Sequence, residues 1–234
     1  MPQISSDPID SLKGGLIVSC QAPAGSPMHD PGVIAAMAEA SVNQGAVGIR
    51  LDTPAHVAAV KQRVAVPIIG LWKQSIPGSE VYITPQFHHA VAIAQAGADI
   101  IAIDATLRQR PGGETMPSLI QQIHGELGKR VMADVDTLES AIAAAAAGAD
   151  LVGTTLYGYT AATRQFSPPG FDLLTQMVET LKVPAICEGG IHSPAMAQQA
   201  INQGAYAVVV GTAITGIDLQ VKAYCSAIKG ELAE

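Results

Sequence analysis

The chain has little charge, few aromatic residues, an odd handful of cysteines and no long apolar stretch. Charged residues make up 14% and aromatic residues 4% of the 234 residues, against 48% hydrophobic. That balance allows a substantial core that needs no disulfides. The three cysteines, Cys20, Cys187 and Cys225, are an odd number in a chain of this size and are expected to be reduced thiols of a cytoplasmic protein. No apolar run approaches the roughly 18 to 20 residues of a membrane span. The start, MPQISSDPIDSLKGG, has neither the basic beginning nor the apolar centre of an export signal. Lysine and arginine total 13 against 20 acidic residues, a net charge of −7, which disfavours nonspecific attraction to nucleic acid or anionic membranes. Basic residues at strand ends are therefore informative.

What the chain does have is an internal repeat. QGAVGIRLD (44–52), AGADIIAIDAT (96–106), AGADLVGTTL (147–156) and QGAYAVVVGTAI (203–214) each join a small-residue helix end to an apolar strand. Their first glycines, Gly45, Gly97, Gly148 and Gly204, lie 52, 51 and 56 positions apart. This is about twice the length of a βα unit, so a further strand belongs before each repeat. LIVSCQ (16–21), VPIIGLWK (66–73), RVMADVD (130–136) and VPAICEGG (183–190) supply those four strands. Eight helical patterns alternate with the eight strands and end in glycine or pass directly into the next strand.

The strands are nearly continuously apolar, as buried parallel strands are. The expected fold is α/β: a single (β/α)8 TIM barrel over residues 1–234, with an open doubly wound sheet as the alternative. No linker or low-complexity segment divides the chain, and AIAAAAAG (141–148) reads as a closely packed helix.

A barrel gathers the carboxyl ends of its strands into one active-site face. The polar candidates there are Gln21, Arg50, Asp52, Lys73, Asp104, Asp134, Asp136 and Glu188. Lys73 ends the third strand and Glu188 the seventh, so the two approach a ligand from opposite sides. This suits proton transfer at a carbon beside a carbonyl, with neighbouring donors stabilising the enolate. A lysine pKa near ~10.4 has to fall, through burial or a cationic neighbour such as Arg50, before Lys73 acts as a base.

Each candidate has a structural alternative. Lys73 is also compatible with a surface amine, a phosphate contact or a Schiff-base amine, and Glu188 with capping its loop or orienting a histidine. Arg50 either pairs with Asp52 or binds a ligand oxygen. Asp134 suits sugar hydroxyls, Asp104 and Asp136 suit orienting roles, and Gln21 offers both a donor and an acceptor. Gly189 and Gly190 after strand seven, and Gly211 and Thr212 after strand eight, stand where barrel loops present backbone N–H groups to phosphate. The expected phosphate site therefore lies at the carboxyl ends of strands 7 and 8. The six histidines form no joint metal-ligand pattern. Cys20 and Cys187 read as core fillers, and Arg108 as a loop residue in contact with solvent.

LIVSCQA, GIR, PIIGLWK, VYITP, AGADIIAIDAT, RP, VMAD, AGADLVGTTLYGYT, EGGI and VVVGTAIT, taken in that order, resemble the N-acetylmannosamine-6-phosphate 2-epimerase family over nearly the full length. The resemblance implies interconversion of N-acetylmannosamine 6-phosphate and N-acetylglucosamine 6-phosphate in amino sugar and sialic acid catabolism. It implies Lys73 as base and Glu188 as acid, with Gln21, Arg50 and Asp134 positioning the phosphorylated N-acetylhexosamine and Gly189, Gly190, Gly211 and Thr212 cradling its phosphate. It further implies no cofactor, no metal and a homodimer. Two departures stand out. Gly216 and Ile217 replace an arginine-proline pair common in the family, and RLD (50–52) and MADVDT (132–137) carry extra acid. A lysine Schiff-base aldolase and a noncatalytic sugar-phosphate-binding barrel are the alternative functions.

Overall fold

The structure, a computed structural model, describes residues 7–230. Residues 1–6 and 231–234 lie outside the described residues, and with them the start of the amino terminus read for an export signal and both ends of the expected 1–234 domain.

Eight parallel strands form a closed barrel in sequence order. They are β1 (Leu16–Cys20), β2 (Gly48–Asp52), β3 (Ile68–Leu71), β4 (Ile100–Asp104), β5 (Arg130–Asp134), β6 (Leu151–Gly153), β7 (Ala185–Glu188) and β8 (Ala207–Val210). Closure is made where β8 pairs with β1, Leu16 opposite Val208 and Val18 opposite Val210. That pairing removes both edges, so the open-sheet alternative is excluded.

The helices are α1 (Pro31–Asn43), α2 (Pro54–Lys61), α3 (Phe87–Gln95), α4 (Met116–Leu127), α5 (Leu138–Ala146), α6 (Phe171–Thr180), α7 (Pro194–Asn202), α8 (Thr212–Thr215) and α9 (Ile217–Lys229). Side-chain caps start many of them: Asp30, Thr53, Thr115, Thr137 and Ser193 each accept a hydrogen bond from a first-turn N–H. The internal repeat has a backbone cause. Gly45, Gly97, Gly148 and Gly204 have φ of 99°, 106°, 101° and 94°, the left-handed region that glycine enters without a Cβ penalty. The short helix α8 is not legible as a separate element in the sequence, where TAIT runs on from the eighth strand.

Strand residues alternate between two cores. Ile17, Ile69, Leu71, Ile100, Ala102, Met132, Leu151, Ile186, Ala207 and Val209 fill the barrel interior. Val18, Ile49, Ile68, Ile101, Val131, Val152 and Val208 pack outward with the helices. Both faces are buried, which is why the strands show no apolar-polar alternation. The amino-terminal end of the barrel is plugged by Leu12, fully buried in a 3-10 turn over Asp10–Leu12. Gly48 leaves room for it, since a Cβ there would stand 2.6 Å from Leu12 Cδ2.

The carboxyl-terminal helix behaves differently from the others. None of the residues of α9 is buried, and Ile217, Val221, Tyr224 and Ile228 are exposed at 49%, 55%, 71% and 84%. Among the described residues no helix is long and apolar enough to cross a membrane.

Candidate active site

The inward-facing register continues past the apolar filling and turns polar at the carboxyl ends. Stepping by two residues along each strand, Ile17 leads to Ser19 and Gln21, Gly48 to Arg50 and Asp52, and Leu71 to Lys73. In the same way Ala102 leads to Asp104, Met132 to Asp134, Leu151 to Thr155, Ile186 to Glu188 and Val209 to Gly211. One side of every strand thus supplies hydrocarbon below and chemistry above.

Lys73 lies just beyond β3 on a short antiparallel return in which it bridges to Ile83. The return is pinned by Gln74 N–H donating to the Tyr82 carbonyl and Thr84 N–H donating to the Trp72 carbonyl, both at 2.9 Å. The ammonium donates to Gln21 Oε1 at 2.6 Å, and the Gln21 amide nitrogen donates to Ser19 Oγ at 3.0 Å. Lys73 is exposed as a residue, yet the walls around it desolvate its ammonium enough to lower its pKa below the usual lysine range. Asp52 opposes that shift and Arg50 reinforces it.

Arg50 is buried and grips two carboxylates: Nη2 lies 2.6 Å from Asp134 Oδ2 and Nη1 lies 2.7 Å from Glu188 Oε1. Desolvation works against its charge, and Asp134 and Glu188 outweigh it to raise its pKa. One guanidinium cannot neutralise two buried carboxylates, so a proton is retained. Thr155 bridges the two. Its Oγ donates toward Asp134 Oδ1 at 2.6 Å and toward Glu188 Oε2 at 3.1 Å, and because a hydroxyl has one proton to give it serves the two carboxyl groups in turn. Burial first, then the charge of Asp134, push the Glu188 carboxyl up to about 7, against Arg50, Thr155 and Lys73. Burial also raises Asp134, against Arg50 and Thr155. The Nε–H of Arg50 is buried without an acceptor among the described residues, a cost that the two carboxylate contacts of its terminal nitrogens offset.

These groups converge on a cavity of about 370 Å³. Gln21, Arg50, Lys73, Glu188, Gly189, Gly190, Gly211 and Thr212 all border it. Asp134 is fully buried and stands behind Arg50 and Thr155, so of the expected substrate contacts it is the one the structure sets beneath the others. Gly190, at φ 69°, is obligatory there, because a Cβ would come within 2.5 to 2.8 Å of Pro168 and Pro169. A neighbouring cavity of about 610 Å³ shares Gln21, Lys73, Gly211 and Thr212 and adds Asp52, His29 and Asp218. A larger depression of about 1080 Å³ at the amino-terminal end of the barrel holds the ion pairs of Lys61 with Asp99 and of Arg130 with Asp150.

Several expectations resolve as structural. Arg50 does not pair with Asp52. Arg108 is mostly covered and pairs with Asp104 at 2.7 Å instead of reaching into solvent. Asp136 accepts from Ser140 and Thr160. Arg110, for which the sequence suggested no definite role, is structural too and donates to the carbonyls of Thr84, Pro85 and Asp104. Cys20 and Cys187 are buried, and desolvation pushes their thiols up to about 12 and about 11, which makes them inert fillers. Sequence reading missed Thr155 and gave no specific task to Tyr82 or Tyr159, which also border the 370 Å³ cavity. The signal for Thr155 was present: it lies four residues, two inward steps, beyond Leu151.

A closed eight-stranded barrel with a lysine of lowered pKa facing a carboxyl of raised pKa defines a (β/α)8 protein equipped for acid-base chemistry at its carboxyl-terminal face. A family model described as "Putative N-acetylmannosamine-6-phosphate epimerase" matches residues 34–230. A protein of Thermosynechococcus vestitus named "Putative N-acetylmannosamine-6-phosphate 2-epimerase" is 63% identical over 218 residues, covering 93% of this chain and 95% of the relative. One of the same name from Synechococcus elongatus is 64% identical over 219 residues, covering 93% and 94%. The solved structure of the N-acetylmannosamine-6-phosphate 2-epimerase from Clostridium perfringens superposes with a TM-score of 0.91 at 38% identity, over 97% of this chain and 99% of that one. The chain belongs to the N-acetylmannosamine-6-phosphate epimerase family.

Proposed function

We propose that the chain is a cofactor-independent isomerase that interconverts N-acetylmannosamine 6-phosphate and N-acetylglucosamine 6-phosphate by removing and replacing the proton at C2, a step of amino sugar and sialic acid catabolism. Family membership supports the substrate and the reaction. The observation that carries the chemistry is the placement of Lys73, its pKa lowered by desolvation, and Glu188, its pKa raised to about 7, on one cavity. Two groups pushed toward each other in pKa can hold opposite protonation states for general base and general acid.

Ring opening exposes an aldehyde at C1, which acidifies the C2 proton. Lys73 takes that proton, and the electron pair of the C–H bond moves onto the carbonyl oxygen to give an enediolate-like species. Arg50, held in place by Asp134 and Glu188 and bordering the cavity, brings its positive charge to the developing negative charge. Glu188 delivers a proton to the other face. β3 and β7 are four strands apart in an eight-stranded ring, so the two groups address C2 from opposite sides. One C–H bond breaks and one forms, and the acetamido group stays attached. Gln21 orients the lysine and the substrate, and the loops with Gly189, Gly190, Gly211 and Thr212 bind the phosphate through backbone N–H groups.

The chain acts as a homodimer in this reading. Ile217, Val221, Tyr224 and Ile228 form one apolar stripe on α9 at i, i+4, i+7 and i+11. An apolar groove of about 500 Å³, lined by Leu16, Ala197, Ile201, Val208, Val210 and Ile214, lies beside α7 on the outer face of β8, and α9 of a second copy is the occupant that fits it. Incubation of the protein with N-acetylmannosamine 6-phosphate followed by borohydride tests the reaction. Formation of the C2 epimer without a reduced lysine adduct is expected. Carbon–carbon cleavage with a trapped adduct on Lys73 would establish the aldolase alternative instead.

A further inference from the structure

The end of β2 carries a carboxylate that the chemistry above does not use. Asp52 follows Arg50 by two residues and accepts the backbone N–H of Lys73 at 2.9 Å through Oδ1. The parallel ladder between β2 and β3 reaches Asp52 opposite Leu71 and continues for one bond, Thr53 N–H to the Leu71 carbonyl at 3.0 Å. At the next step a side chain replaces the main chain as acceptor, and the acceptor is Asp52. The carbonyl of Asp52 is turned away to Nδ1 of the buried His56 at 2.9 Å.

The backbone is held off its ordinary path to achieve this. Thr53 has φ 76° and ψ 144°, a region that a β-branched residue occupies only when its surroundings impose it. The strain lies between the aspartate that grips Lys73 and the helix that Thr53 caps. The carboxylate also faces the neighbouring cavity of about 610 Å³ alongside Lys73, so its charge acts on the ammonium as well as on the main chain.

We propose that Asp52 is a positioning residue for Lys73: its carboxylate anchors the lysine's main chain at the cavity mouth and its negative charge sets how readily the ammonium gives up its proton. This rests on the reading of Lys73 as the base. The other charged or titratable groups on the cavity walls around Lys73 are Arg50 and Glu188, the phenols Tyr82 and Tyr159, and His192; Asp134 lies behind Arg50, and His29 and Asp218 line the outer cavity. Of these surroundings Asp52 exerts the strongest pull toward the protonated amine, ahead of Glu188 and Asp134.

The test is a pH titration of the Lys73 side chain by NMR of the full-length protein labelled at lysine Cε, with the signal assigned by Lys73→Ala, together with epimerase kinetics. Asp52→Asn keeps an oxygen acceptor for the N–H and removes the charge. It is expected to lower the Lys73 midpoint by about one pH unit, while Asp52→Glu restores it. Asp52→Ala removes the anchor as well and is expected to lower kcat on the order of tenfold with little change in KM, because misplacement penalises the reacting geometry. An unmoved midpoint in Asp52→Asn with wild-type kcat in Asp52→Ala overturns the proposal and leaves the base reading intact. Full turnover by Lys73→Ala overturns the base reading, and the role of Asp52 with it.

Discussion

Arg50 Nη1 lies 2.7 Å from Glu188 Oε1, and Nη2 is already committed to Asp134. Burial, with the charge of Asp134, outweighs the shared guanidinium and pushes the Glu188 carboxyl up to about 7. Native protein therefore binds the Glu188 proton more tightly than unfolded chain, whose carboxyl titrates near 4.5. Stability contributed by Glu188 is full below that value and is lost as pH rises through about 7. Glu188→Gln imitates the protonated acid at every pH. Its Tm relative to wild type is expected to climb between about pH 5 and pH 8, and a constant difference in thermal unfolding across that range would contradict the assignment. Its turnover should fall by roughly 10²- to 10⁴-fold.

Thr155 couples the two carboxyl groups through a single hydroxyl. Thr155→Val leaves Asp134 buried with one donor fewer and is expected to cost about 1–3 kcal/mol in urea unfolding. Epimerase activity should fall with it, and Thr155→Ser should recover both. A fully stable, fully active valine variant would remove Thr155 from the site.

The sequence made much of this visible, for reasons that can be traced to particular residues. The repeat of Gly45, Gly97, Gly148 and Gly204 gave the number of units because each position needs a positive φ. Lys73 and Glu188 stood out because a charged side chain at the end of an apolar strand has a single common destination in a barrel. Thr155 was hidden because a threonine carries no charge and β6 ends early, at Gly153. The depth of Asp134 was equally hidden, since it depends on Arg50 crossing from β2 to meet it. Asp52 was one of two partners open to Arg50, the other being a ligand oxygen, because the two residues are neighbours on one strand. The pairing went elsewhere because i and i+2 point the same way without touching along the barrel axis.

The proposed phosphate site depends on backbone geometry at Gly190. Gly190→Ala places a Cβ 2.5 Å from Pro168 Cβ and 2.6 Å from the Pro168 main chain, so the loop must shift. KM for the sugar phosphate is expected to rise about tenfold, equivalent to one lost hydrogen bond of ~1.4 kcal/mol, with a smaller change in kcat. Steady-state kinetics showing an unaltered KM would place the phosphate elsewhere.

The exposed stripe on α9 gives a prediction for assembly. Replacing Tyr224 and Ile228 together by aspartate puts two charges where an apolar partner face is proposed. Sedimentation velocity is expected to report a dimer for the wild-type chain and a monomer for the double variant. A wild-type monomer, or a dimer undisturbed by the double substitution, would refute the α9 interface.

The central claim is that Lys73 and Glu188 exchange the C2 proton from opposite faces. The most direct measurement is proton NMR of N-acetylmannosamine 6-phosphate in deuterated water with wild type, Lys73→Ala and Glu188→Gln. Wild type should yield N-acetylglucosamine 6-phosphate carrying deuterium at C2, and neither variant should form the epimer at an appreciable rate. Wild-type protein that yields the epimer with its original C2 hydrogen wholly retained, or a Lys73→Ala or Glu188→Gln protein that epimerises at the wild-type rate, would contradict it.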